Sequence, residues 1–199
     1  MDELLEYELE AITLQEQGTM RPRTAQEYLT MPEGAPYFQF INGEVVDMPA
    51  PILIHQQVIS NLNFYFKLFL KQHQIAGTVF PAPVDVYFTD TDYFQPDLAF
   101  VSNERSSILQ NRKNIKGAPD LVVEVLSPST GYYDLTHKKF VYEQEGVREY
   151  WLVYPEERRV EVYVNSANGF ILHSQAVKQG TLQSSVLSGF ETSIDAVFE

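Results

Sequence analysis

The stretch Gly117–Tyr142, GAPDLVVEVLSPSTGYYDLTHKKFVY, constrains the fold more than any other part of the chain. It opens as a strand of unbroken apolar character with one carboxylate, Glu124, inside LVVEVL. Strand side chains alternate, so Asp120, Val122, Glu124 and Leu126 share one face. After a Ser/Pro turn, Asp134, Lys138 and Tyr142 recur at i, i+4 and i+8 and line one face of a helix. A carboxylate at core depth without a partner is costly. This strand therefore demands a cation, hydrogen-bond donors or a metal, and the remaining sequence must supply them.

The other elements follow from local signals. Residues 1–21 are polar and acidic, with Leu4, Leu5, Leu9 and Ile12 as a thin apolar stripe, and read as an arm outside a single domain at 22–199. Thr24-Ala-Gln-Glu27 fits a capping box and predicts a short helix. Asn42-Gly43 between β-rich runs predicts a hairpin over Tyr37–Met48. From Ile52 to about Gln74, His55, Val58, Ile59, Leu62, Phe66 and Phe69 fall at helical spacing. Strands are predicted at Thr78–Phe80, Val84–Phe88, Pro96–Val101, residues 119–126, Arg148–Tyr154, Val160–Val164 and Phe170–Ala176, with a loop at 102–116 and a helix at 132–145. The expected fold class is α+β (α/β): a mixed β-sheet flanked by the helices at 52–74 and 132–145.

Charge narrows the function. Fourteen Lys and Arg against 27 Asp and Glu give a formal −13, which disfavours long-range attraction of a polyanion. The absence of cysteine excludes a thiolate nucleophile and a Cys-ligated zinc. No apolar run reaches the roughly 20 residues of a membrane helix, and the acidic start lacks the basic region of a signal peptide. A cytoplasmic protein with no membrane partner is expected.

Asp97 opens one strand, Asp120 and Glu124 lie on another predicted to be its neighbour or near-neighbour, and Asp85 lies on the strand before. Carboxylates converging from adjacent strands form a hard-oxygen site suited to Mg²⁺ or Mn²⁺, and a nearby lysine would assist phosphodiester hydrolysis. Simpler roles stand beside these. Asp134 and Lys138 form an ordinary helical ion pair by spacing alone, and Asp97 and Asp120 suit turns. Glu44 suits a hairpin exit, and His55, on the apolar stripe of its helix, suits a hydrogen-bonded core. His73, His137 and His173 have no metal-ligand spacing. Tyr142 reads as a packing residue whose hydroxyl meets a site carboxylate, and Tyr150 and Trp151 read as sheet core.

Pro96-Asp97 followed by Glu124 on the next strong strand has the layout of the PD-(D/E)xK nuclease superfamily. More specifically, GAPDLVVEVLSPST, the D-x-x-x-K-x-x-x-Y of Asp134, Lys138 and Tyr142, and GVREYWLV at 146–153 resemble the Uma2 family, widespread in cyanobacteria. INGEVVDM and His55 resemble that family's N-terminal half, and the similarity runs from about residue 22 to 198. The resemblance implies a restriction-endonuclease-like core and a Mg-dependent (or Mn-dependent) endonuclease that hydrolyses DNA. Asp97 and Glu124 would be metal ligands and Lys138 the catalytic lysine, with Glu44, Asp85, Asp120, Asp134, Tyr142 and His55 in support. One departure stands out: the Glu-x-Lys position holds Leu126, so the lysine must come from the helix, as Lys138. Two alternatives remain open, a catalytically degenerate interaction module and a hydrolase of small phosphate esters. A DNA substrate requires Arg105, Arg112, Lys113 and Lys116 to border the site, and double-strand cutting would be served by a homodimer.

Overall fold

The computed structural model describes residues 22–31, 38–47, 52–109, 113–127 and 131–199. The expected arm at 1–21 and Arg112 lie outside the described residues. Helix α1 (Ala25–Leu29) starts at Thr24, whose hydroxyl accepts the Glu27 N–H at 3.1 Å. The Glu27 carboxylate reaches back to the Arg23 N–H rather than to that of Thr24.

Strands β1 (Phe38–Ile41) and β2 (Glu44–Asp47) form the predicted hairpin. Asn42 and Gly43 both take positive φ, 53° and 77°, as a two-residue turn between twisted strands requires. Helix α2 (Leu53–Gln72) follows and buries His55, Val58, Ile59, Leu62, Phe66 and Phe69, the stripe read from the sequence, together with Leu70. Then come β3 (Gly77–Pro81), β4 (Val86–Tyr87), β5 (Tyr93–Phe94) and β6 (Leu98–Ser102). The predicted loop at 102–116 contains a 3₁₀ segment, Asn103–Leu109, and the short β7 (Ile115–Lys116).

The central strand β8 (Leu121–Val125) leads into α3, a helix of three parts. Gly131–Tyr133 and Lys139–Gln144 are α-helical, and Asp134–Lys138 between them is a π-helical turn. Strands β9 (Glu149–Tyr154), β10 (Arg159–Ser166), β11 (Gly169–Val177), β12 (Thr181–Gln183) and β13 (Glu191–Ser193) precede a terminal helix, α4 (Ile194–Phe198). That last helix, capped by the Ser193 hydroxyl, was not foreseen.

The strands form separate sheets rather than one. The main sheet has the order β11-β10-β9-β8-β6-β3, with β8 parallel to β9 and antiparallel to β6. A smaller sheet has the order β2-β1-β5-β4-β7, and β12 pairs with β13. The Val84–Phe88 run therefore joins the hairpin's sheet, not the main one. Alternation along β8 organises the core. Leu121, Val123 and Val125 pack with α2 and α4, whereas Val122 packs with Tyr142, Tyr150 and Leu152 on the α3 side. Glu124 shares the face of Val122 and so looks toward α3.

Candidate active site

The site lies at the C-terminal end of β8, where β6, α2 and α3 meet. In the register, Leu98 faces Val123, so Asp97 falls one step beyond, opposite Glu124. One Asp97 oxygen accepts the Val125 N–H at 2.6 Å and lies 3.3 Å from His55 Nε2, from the first turn of α2. Burial opposes a charge on His55, but the adjacent Asp97 more than compensates, and its pKa is raised.

Helix α3 supplies the other half. Lys138 Nζ lies 3.1 Å from Glu124 Oε1 and 2.8 Å from Asp134 Oδ1, with the lysine side chain only 2% exposed. The Tyr142 hydroxyl donates to the same Glu124 oxygen at 2.6 Å. The residue spacing of α3 and the alternation of β8 thus converge on one carboxylate. Tyr150 adds a contact that the sequence did not reveal. Its hydroxyl donates to the Asp134 carbonyl at 2.9 Å, where the π-helical turn begins. Such a turn leaves backbone groups outside the regular i→i+4 ladder, and a buried carbonyl needs a donor.

Electrostatics follow from burial. Burial pushes the Glu124 carboxyl well above its ordinary range; Lys138 pulls it down, while Asp134 and Asp97 push it up. Burial likewise raises Asp134 against the pull of Lys138. Burial opposes the charge on Lys138, but Asp134 and Glu124 together hold its pKa above the ordinary lysine value. The ammonium therefore stays protonated. It serves as a fixed positive charge and hydrogen-bond donor, not as a base.

Glu124 and Asp134 thus share one ammonium, with Asp97 as a nearby charge, and a divalent cation would favour the ionised forms that burial opposes. Among the described residues no group of three or more His, Asp and Glu side chains is arranged as a metal cage. Mg²⁺ does not need one, since it keeps several waters and uses one or two carboxylates. Asp97 and Glu124 fit that smaller demand, and their all-oxygen chemistry fits a hard cation.

The other sequence candidates lie elsewhere. Asp120 is on the Glu124 face but at the opposite end of β8, about 13 Å away at strand rise. It accepts the Ser102 N–H at 2.7 Å and pairs with Arg148 at 3.0 Å and Arg105 at 3.5 Å, so it is a structural acid. Asp85 is in the small-sheet region, where Gln95 Nε2 donates to it at 2.6 Å; burial raises its pKa. Glu44 is exposed at the hairpin exit and lines a groove with His137 and Phe140. Of the basic residues at 102–116, Arg105 and Lys116 are engaged elsewhere. Arg105 donates to the carbonyls of Ala118 and Gly146, and Lys116 lies over the Tyr87 ring. His137 pairs with Asp92 at 2.6 Å, a contact 45 residues apart that no local pattern announced.

Comparison with known proteins places this architecture. The family Uma2, described as "Putative restriction endonuclease", matches residues 25–196. Among solved structures the chain is similar to a "putative nuclease belonging to DUF820 from Anabaena variabilis ATCC 29413". The two share 24% identity and a TM-score of 0.71, over 89% of this chain and 98% of that one. At that identity the likeness is one of fold. No curated protein matches the chain.

Proposed function

Because the chain belongs to the Uma2 family over residues 25–196, we propose that it is a Mg²⁺-dependent endonuclease (Mn²⁺ being the alternative ion) that hydrolyses DNA phosphodiesters through Asp97, Glu124 and Lys138. The observation that carries this reading is the Lys138 ammonium at 3.1 Å from Glu124. The Glu-x-Lys position on the strand is Leu126, and a lysine from α3 brings its charge to the same carboxylate.

Asp97 and Glu124 would hold the metal, which when bound supplies Lewis acidity and a more acidic water. The chain's own groups do the rest. Tyr142 fixes one Glu124 oxygen, and His55 and the Val125 N–H fix Asp97. Lys138, protonated and tied to Asp134, offers a preorganised positive charge to the phosphate and a donor that orients the attacking water. Cutting both strands of a duplex often uses two such centres, which a homodimer would supply.

Arg105 and Lys116 are engaged away from the site, which favours a second reading, a hydrolase of small phosphate esters with less need of a basic groove. Calorimetric titration of Mg²⁺ and Mn²⁺ into wild type and Glu124→Ala, alongside plasmid nicking, separates these. Binding and nicking that both vanish in the mutant support the nuclease. Metal binding without nicking turns the assay to small phosphate esters, and no specific metal binding sinks both.

A further inference from the structure

On the flank of α3 away from the main sheet, the turn of the β1–β2 hairpin and the helix enclose a groove of about 430 Å³. Asn42 and Glu44 form one wall; Tyr133, His137 and Phe140 form the other. Phe140 presents its ring to solvent, 59% exposed, although the helix has a buried face available for aromatic residues. The floor is braced. His137 is held to Asp92 at 2.6 Å, and Asp92 also accepts the Asn42 N–H at 3.2 Å, so helix and hairpin are tied together beneath the groove. The groove and the catalytic cluster use different faces of α3, with Phe140 exposed and Lys138 buried; His137 and Lys138 each approach the Phe94 ring, at 6.4 Å and 6.0 Å.

We infer that this groove holds a nucleobase of the bound strand, stacked on Phe140 and read at its edge by Glu44 and Asn42. The inference rests on the nuclease reading and supplies what that reading lacks, a means of gripping nucleic acid without a basic surface. Base–aromatic stacking requires no positive charge and suits a chain of net charge −13. A carboxylate only accepts hydrogen bonds, so Glu44 selects bases that offer an exocyclic amino group over thymine.

The test uses short oligonucleotides carrying 2-aminopurine, with wild type, Phe140→Ala, Phe140→Trp and Glu44→Gln. Stacking losses of the usual size raise KM roughly ten-fold or more in Phe140→Ala, with kcat within about two-fold by the same reasoning. Phe140→Trp restores KM, and Glu44→Gln levels the preference between amino-bearing bases and thymine. Unchanged KM in Phe140→Ala, in an enzyme that does cleave, overturns the inference and leaves the nuclease intact. If wild type cleaves nothing, 2-aminopurine fluorescence still decides. Quenching by wild type that is lost in Phe140→Ala keeps a base site without a nuclease. No quenching removes it.

Discussion

Replacing Lys138 by Met tests the electrostatics of the site most directly. The change keeps the length of the side chain and removes its charge. Lys138 and Glu124 are 2% and 4% exposed, so water does not screen the pair. Glu124 and Asp134 would be left buried without their shared cation. Removing one partner of a buried ion pair typically costs about 3–5 kcal/mol. In a chain of this size each kcal/mol moves Tm by about 2–4 °C, giving a fall of roughly 6–20 °C.

The pH dependence has a definite sign. Folded-state pKa values of Glu124 and Asp134 are raised above 4.5 and 3.8 respectively, so the folded protein retains protons that the unfolded chain has released. Stability from these groups therefore falls as pH rises from those ordinary values toward the raised ones. The raised pKa of Lys138 contributes stability that is complete below 10.5 and lost above it as pH passes through the folded value. Without the lysine the two carboxyls rise further. The loss in Lys138→Met is then larger at pH 8 than at pH 5, and Lys138→Met/Glu124→Gln/Asp134→Asn regains most of it. Urea unfolding at both pH values measures this. A loss under about 1 kcal/mol at pH 8, or an equal loss at both pH values, would refute the buried-pair argument.

Three further outcomes follow from local geometry. Asp120→Ala leaves the Ser102 N–H without its acceptor and Arg148 and Arg105 without this counter-charge. It should cost about 1–3 kcal/mol in urea unfolding while activity per folded molecule holds, which separates it from the site. In Gly77→Ala the new methyl would stand 2.5 Å from the Phe100 ring, itself buried, so about 1–3 kcal/mol of overpacking is expected in thermal unfolding. Burial would raise Asp92, but His137, the Asn42 N–H and threonine hydroxyls outweigh it and hold its pKa below 3.8. Its stabilisation is present above that value and lost as pH falls through the folded one, so Asp92→Asn should flatten the acid limb of the stability curve.

Legibility in the sequence followed the range of the interaction. Alternation along LVVEVL put Asp120 and Glu124 on one face, and helical spacing aligned Asp134, Lys138 and Tyr142. Both hold because each depends only on the local twist of the backbone. The hairpin turn at Asn42-Gly43 was equally plain, since few residue pairs tolerate two positive φ values. The one-sheet reading failed at Val84–Phe88. A short apolar run carries no label for which sheet it joins, and β4 paired with β5 and β7 instead. Composition likewise left open whether the basic residues of the 102–116 loop border the site, because counting charges cannot show that Arg105 spends its guanidinium on the carbonyls of Ala118 and Gly146.

The sequence by itself determined which residues share a face: a carboxylate inside an apolar strand, and a lysine and tyrosine on one side of the helix after it. Only the tertiary structure decided that these faces meet. The crossover from β8 to the parallel β9 lays α3 over Glu124 rather than over Asp120 at the other end of the strand. The same packing brings Asp97 opposite Glu124 and draws Asp92 to His137 across 45 residues. Periodicity encodes orientation about one axis, whereas a site is a coincidence of several axes, fixed only when the core they share is closed.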